Sequence, residues 1–270
     1  MLRQENLSSF WRAGATIHYW RSGNRYAPTV VLSHGATLDH SEWQHNIAPL
    51  EEHFNVVRWD LRGHGKSRES AFSIDEALED LRELLDLLEQ RSVFLLGHSM
   101  GGNLHQRFAQ RYPQRVTAMI CLGCTWNYQH LSFSERSLIK LSEPMLRLLS
   151  YEQLVRQAVA VCSNHSAGRA LIEAAMRQLD KEAIIAIMLE TLKFLDEQPD
   201  YRFNKPLLLM YGDQDRTGNI RKAMQRWHQH ESQSELIVIP NASHAANIDN
   251  PSFFNREVLR FLSQYTVLNP

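Results

Sequence analysis

Three cysteines in 270 residues are too few for a disulfide framework, so this chain must hold its core by packing. Cys121 and Cys124 make a C-x-x-C spacing, but Cys121 falls inside the apolar run 116–122. There a thiol reads as a small buried hydrophobe rather than a redox or metal centre. No stretch approaches the about 18 consecutive apolar residues of a membrane span. Neither sign of charge dominates: 29 basic against 30 acidic residues leave a formal net charge of -1. That balance excludes the concentrated basic face that nucleic-acid phosphates favour. The phosphate-binding patterns G-x-x-x-x-G-K-[ST] and G-x-G-x-x-G are missing, and the 13 histidines form no H-E-x-x-H. No cofactor and no metal are therefore expected. Residues 1–6 carry charge with no apolar stretch behind them, unlike a secretion signal, which makes the cytoplasm the default compartment. Nothing in the pattern sets an oligomeric state.

What is present begins with strand-like alternation. Residues 10–12, a turn at Ala13-Gly14 and residues 16–20 read as an antiparallel hairpin. Short apolar strands follow at 30–32 and 55–59. Ser73-Ile-Asp-Glu76 has the form of a capping box. Behind it Ala77, Leu78, Leu81, Leu84, Leu85 and Leu88 share one helical face. Residues 93–96 are apolar on both faces, as in a parallel sheet covered on two sides. A helix from Met100 should stop at Tyr112-Pro113, and 116–122 is the next strand. The alternation then lapses. Between Trp126 and Pro199 the spacing predicts helices near 135–149, 151–162, 167–179 and 181–195 and no strand. Strands resume at 207–211 and 236–239 around a helix at 219–230, and Pro251 opens a final helix. The expected class is α/β, with a mostly parallel sheet and helices on both faces. Residues 1–125 and 200–270 form the core, and 126–199 a helical cap inserted into it.

Gly97-His98-Ser99-Met100-Gly101 joins a buried strand to a helix. Glycines on either side permit the sharp turn that exposes a nucleophilic serine at a helix N-terminus. A serine hydroxyl needs a base. His244, in Pro240-Asn-Ala-Ser-His244, follows the last strand at the same sheet edge; His230 is the rival. The acid comes from Gly212-Asp213-Gln214-Asp215. Asp215 lies deeper in the loop and is taken as the partner of the base, whereas Asp213 reads as a loop tie. Asp249 reads as a cap ahead of Pro251. Serine, acid, histidine is the chain order of Ser99, Asp215 and His244. In Ser33-His34-Gly35-Ala36-Thr37 the Ala36 backbone N–H is the expected oxyanion donor beside that of Met100. His34 reads as a loop organiser, and Asp60 and Arg62 as links between loops. Thr37 and Trp126 are the candidate substrate contacts. Leu138, Met145, Leu148, Leu149, Ile184, Ile187 and Met188 either line an apolar cavity or pack the cap on the core.

Together, Ser33-His-Gly-Ala36, Asp60-Leu-Arg-Gly-His-Gly-Lys-Ser67, Gly97-His-Ser-Met-Gly101, Gly212-Asp-Gln-Asp215 and Ser243-His244 resemble the α/β-hydrolase superfamily. The branch is that of small esterases, lactonases and carbon–carbon bond hydrolases, and the likeness spans 23–261. It implies cofactor-free hydrolysis of a small or medium ester, or a related carbonyl substrate, through an acyl-enzyme. Lactone and carbon–carbon hydrolysis are alternatives with the same three residues, and a non-catalytic receptor or scaffold is a third. Family relatives that open epoxides hold an aspartate where this chain has Ser99. One departure is local: the proline that often follows the acid is absent from Arg216-Thr217-Gly218-Asn219.

Overall fold

The computed structural model describes residues 6–266, so the reading of the first five residues lies outside it. Strands β1 (Asn6–Arg12) and β2 (Ala15–Gly23) form the expected hairpin, with Phe10 opposite Ile17. Ala13 (φ 44°) and Gly14 (φ 77°) both take positive φ, the hand a two-residue turn needs to match strand twist. Next come β3 (Thr29–Ser33), α1 (Ile47–Glu51), β4 (Asn55–Trp59), α2 (Ile74–Leu87), β5 (Val93–His98), α3 (Met100–Arg111) and β6 (Val116–Leu122). Four helices follow without a strand: α4 (Phe133–Leu148), α5 (Tyr151–Cys162), α6 (Ser166–Met176) and α7 (Lys181–Leu192). The chain ends on β7 (Leu207–Gly212), α8 (Ile220–His230), β8 (Ser234–Ile239), α9 (Ala246–Asp249) and α10 (Pro251–Ser263).

One sheet holds the strands in the order β1-β2-β4-β3-β5-β6-β7-β8. β2 pairs antiparallel with β1 and β4, and every pair from β4 to β8 is parallel. Strand alternation divides the core. Val31, Val57, Leu95, Met119 and Leu209 face α2, α3 and α8, whereas Val30, Val56, Phe94, Leu96, Ile120 and Leu208 face α1 and α10. The central strands are therefore apolar at successive positions, each buried side chain contributing about 1.5–3 kcal/mol. Because the strands are parallel, β3, β5, β7 and β8 release their following loops at one carboxyl edge.

Two local expectations are corrected. Ser73 makes no side-chain cap on α2. Glu76 is drawn to Arg12 at 2.5 Å, and the Ile74 N–H goes to Glu190 of α7. Capping boxes form instead at Ser132/Glu135 and Ser150/Gln153, opening α4 and α5. On α4, Leu138, Met145 and Leu148 neither line a cavity nor pack inward; they are 57%, 53% and 85% exposed. Ile184 and Ile187 are buried, and Leu149 and Met188 pack half-buried against the same cluster. Among the described residues, no helix is long and apolar enough to cross a membrane.

Arg62, after β4, grips Asp80 of α2 with two bonds of 2.6 and 2.7 Å, and Arg12 of β1 adds a third at 2.7 Å. Asp80 is fully buried and Arg62 nearly so. Removing the shared acid strands a buried guanidinium, so Asp80→Ala is expected to cost about 3–5 kcal/mol in urea unfolding. A loss under about 1 kcal/mol would mean that water reaches and solvates this site.

Candidate active site

Ser99 follows β5 and precedes α3 with φ 49° and ψ −116°, a conformation strained for any residue with a side chain. Two close approaches account for the glycines around it. A Cβ on Gly97 would lie 2.5 Å from the Gly101 carbonyl carbon, and one on Gly101 would lie 2.2 Å from the Ser33 carbonyl oxygen. The elbow therefore sits hard against the end of β3, half-exposing Ser99 at the positive end of α3.

The loop after β8 brings His244 to it. Ser99 Oγ donates to His244 Nε2 at 3.0 Å, and His244 Nδ1 donates to Asp215 Oδ2 at 3.0 Å. This tautomer is the one the acid on one side and the hydroxyl on the other require. Burial pushes the Asp215 carboxyl up, but His244 and the hydrogen bonds of Thr217 outweigh it, leaving it below the ordinary carboxylate value. Asp215 therefore stays charged at neutral pH. Its contribution to stability is present above the ordinary carboxylate value and is lost as pH falls through the depressed one.

The residues competing for these roles have other partners. Asp213 Oδ1 accepts the Ala242 N–H at 3.1 Å, tying the two loops as expected. His230 packs its ring on Trp126, centroids 4.4 Å apart. Trp126 is buried there, and that tilted ring contact joins it to the end of α8. Asp249 is a correction. The cap of α10 is Asn250, which accepts the Phe253 N–H, whereas Asp249 accepts the Ser243 N–H at 2.8 Å and the Ser163 hydroxyl at 2.5 Å. It thereby fastens the histidine loop to the end of α5. The Cys162 carbonyl adds to this by accepting the Ala245 N–H at 2.8 Å.

Beside the elbow, Gly35 to Leu38 make a turn closed by Leu38 N–H on the Gly35 carbonyl at 3.2 Å, with Thr37 at φ 62°. The Thr37 hydroxyl donates to the Ala36 carbonyl. Among the described residues no protein acceptor takes the N–H of Ala36 or of Met100. His34 Nε2 accepts the Leu61 N–H at 3.1 Å, joining the loops after β3 and β4. Asp39, His40 and Asp60 bring possible metal ligands within 4.8 Å of one another. Their acceptor oxygens already serve protein donors: Asp60 takes the His40 ring and backbone and the Lys66 N–H, and Asp39 takes Ser41 and Gln178. Cys121 and Cys124 are buried free thiols, and burial pushes Cys121 well above the thiol range.

The family profile described as alpha/beta hydrolase fold matches residues 28–251, and the chain belongs to that family. Epoxide hydrolase 4 of Mus musculus is 27% identical over 143 residues, which cover 52% of this chain and 39% of that protein. Three mycobacterial proteins are likewise matched over only 33% of their length, so this chain spans about a third to two fifths of these relatives. Pimeloyl-[acyl-carrier protein] methyl ester esterase of Nitrosomonas europaea is 25% identical over 89% of this chain and 97% of its own. The enol-lactonase of Burkholderia xenovorans LB400 superposes with a TM-score of 0.81 at 24% identity, covering 95% of this chain and 100% of its own.

The elbow's packing is directly testable. Gly101→Ala is expected to cost at least about 1–3 kcal/mol and to abolish fluorophosphonate labelling of Ser99, followed by thermal melting and by gel fluorescence. Wild-type labelling would show that the end of β3 can withdraw.

Proposed function

We propose that the chain is a serine hydrolase that cleaves a small or medium carboxylic ester through an acyl-enzyme on Ser99. The observation that carries this reading is the unbroken line of two 3.0 Å hydrogen bonds from Ser99 through His244 to buried Asp215. In the first half-reaction His244 Nε2 takes the Ser99 proton while Oγ bonds to the ester carbonyl carbon. The oxygen left negative is received by the N–H groups of Ala36 and Met100. His244 then returns the proton to the departing alkoxide, and the alcohol leaves. Water enters, gives its proton to His244 and attacks the acyl group; the acid departs and the proton goes back to Ser99. Throughout, the Asp215 charge stabilises the imidazolium.

Epoxide opening fits Ser99 poorly. Attack by a carboxylate makes an ester that water can cleave, whereas attack by a serine hydroxyl would leave an ether with no carbonyl for water to attack. The methyl ester esterase matched over nearly its full length points the same way. Residues 126–199 are read as a cap inserted between core segments 1–125 and 200–270. Its two ends are tied where they meet, the Asp196 N–H to the Asn127 carbonyl at 2.8 Å, and Arg107 of α3 pairs with Asp196 at 2.6 Å.

Short p-nitrophenyl esters, with lactones and β-diketones in parallel and product formation as the readout, test the substrate class. Ester turnover is expected to vanish in Ser99→Ala; an unchanged rate would remove Ser99 from the reaction. Turnover of lactones or β-diketones alone would move the chain to those branches, and a fold that neither turns over nor labels would be a receptor. Asp215→Asn is expected to lose on the order of 10⁴ in kcat, by analogy with other serine triads. Asp213→Asn keeps an acceptor for the Ala242 N–H and should lose little. A larger defect in folded Asp213→Asn would transfer the acid's role to it.

A further inference from the structure

A second acid–histidine pair lies beneath the first. Glu42, in the short 3-10 turn His40–Trp43, and His98, the last residue of β5, each have side chains only 1% exposed. Glu42 Oε1 stands 2.6 Å from His98 Nδ1. The other two outward atoms of the pair end on backbone. Glu42 Oε2 accepts the Gly35 N–H at 2.9 Å, and His98 Nε2 donates to the His244 carbonyl at 3.1 Å. A carbonyl can only accept, so Nε2 carries a proton; Glu42 Oε1 and His98 Nδ1 meet as a close buried pair rather than as an aligned hydrogen bond. Burial pushes His98 down, but Glu42 outweighs it and raises the imidazole above its ordinary value. The contact also explains a glycine, since a Cβ on Gly35 would lie 2.8 Å from His98 Nδ1.

An apolar pair of similar volume would fill this space at no loss of stability. It could not grip two backbones. Gly35 precedes Ala36, His98 precedes Ser99, and the carbonyl held is that of His244 itself. We propose that Glu42 and His98 are positioning residues that hold the loop after β3, the serine elbow and the histidine loop in one register, so that the Ala36 N–H, Ser99 Oγ and His244 Nε2 converge on one carbonyl. The inference rests on the Ser99 reading above.

His98→Asn keeps a donor for Glu42 but is too short to reach the His244 carbonyl. Its kcat on p-nitrophenyl esters is expected to fall about 10- to 100-fold, with KM within about two-fold and the rate of fluorophosphonate labelling falling in parallel, as for a misplacement of under about 1 Å. Glu42→Gln can still accept from Gly35 and keeps a polar group beside His98 Nδ1, so it should lose less than Glu42→Leu. If His98→Asn does not fold, Glu42→Gln carries the test: a lowered kcat at unchanged KM supports the proposal. Wild-type kcat in the folded variants, or a loss confined to KM, overturns it. A wild type that neither hydrolyses esters nor labels overturns the Ser99 reading and this one with it. A wild type that does both, beside variants at wild-type kcat, overturns this one alone.

Discussion

A serine held at φ 49° and ψ −116° lies outside the regions open to ordinary residues, and a few kcal/mol of strain persist only where the surroundings leave the backbone no alternative. Here the surroundings act from three directions. The Ser99 N–H is bound to the Leu122 carbonyl of β6 at 2.8 Å, and the Ser99 carbonyl takes the Asn103 N–H at 3.0 Å, closing the first turn of α3. Below, Gly97 and Gly101 let the helix start against β3 at distances no side chain would allow. Both neighbouring strands are parallel to β5, with Gly97 level with Ser33 on one side and Cys121 on the other. The strained residue is thus held by the most buried part of the molecule, and its hydroxyl is aimed by the same contacts that make the sheet.

Charge is used sparingly in that interior. Asp215 gains His244 and Thr217, Glu42 gains His98 and Gly35, and Asp80 gains Arg62 and Arg12. Each of these three acids has a cationic or imidazole partner and a further donor, the condition under which burying a charge is tolerable. The three pairs sit at different levels: Asp80 locks a helix to the loop after β4, Glu42 spans two loops at the sheet edge, and Asp215 faces the imidazole that faces Ser99.

The parts of this arrangement legible in the sequence are those encoded locally. Gly97-His98-Ser99-Met100-Gly101 announces an elbow because both glycines and the strand before them are contiguous. The strands were legible because the central parallel strands carry contiguous apolar runs, and the helices between Trp126 and Pro199 because that stretch offers helical segments and no strand-like run. What could not be read is long-range polar pairing. Ser73 and Glu76 have the spacing of a capping box, but Arg12, 64 residues away, draws Glu76 off. Asp249 looks like a cap because Pro251 follows it, yet its partner Ser163 is 86 residues distant. Glu42 lies within a short polar run and reveals its importance only once His98 stands beside it. Thr217 supplies an N–H to Asp215 Oδ1 at 2.8 Å, closing an Asx-type turn that proline at this position could not make.

The same geometry separates what is generic in the site from what is particular to this chain. In the reaction proposed above, Ser99, His244 and Asp215 would act on the carbonyl and be indifferent to what lies on either side of it. Discrimination between carbonyl substrates must come from surfaces that touch the acyl and alcohol groups. The helical excursion between β6 and β7 is not an independent lid in this respect. The Cys162 carbonyl holds the Ala245 N–H, and Ser163 holds Asp249, which in turn holds the Ser243 N–H. Both links land on residues adjoining His244. The histidine loop is therefore gripped from below by His98 and from above by the end of α5, and His244 owes its aim to the sheet and the excursion together.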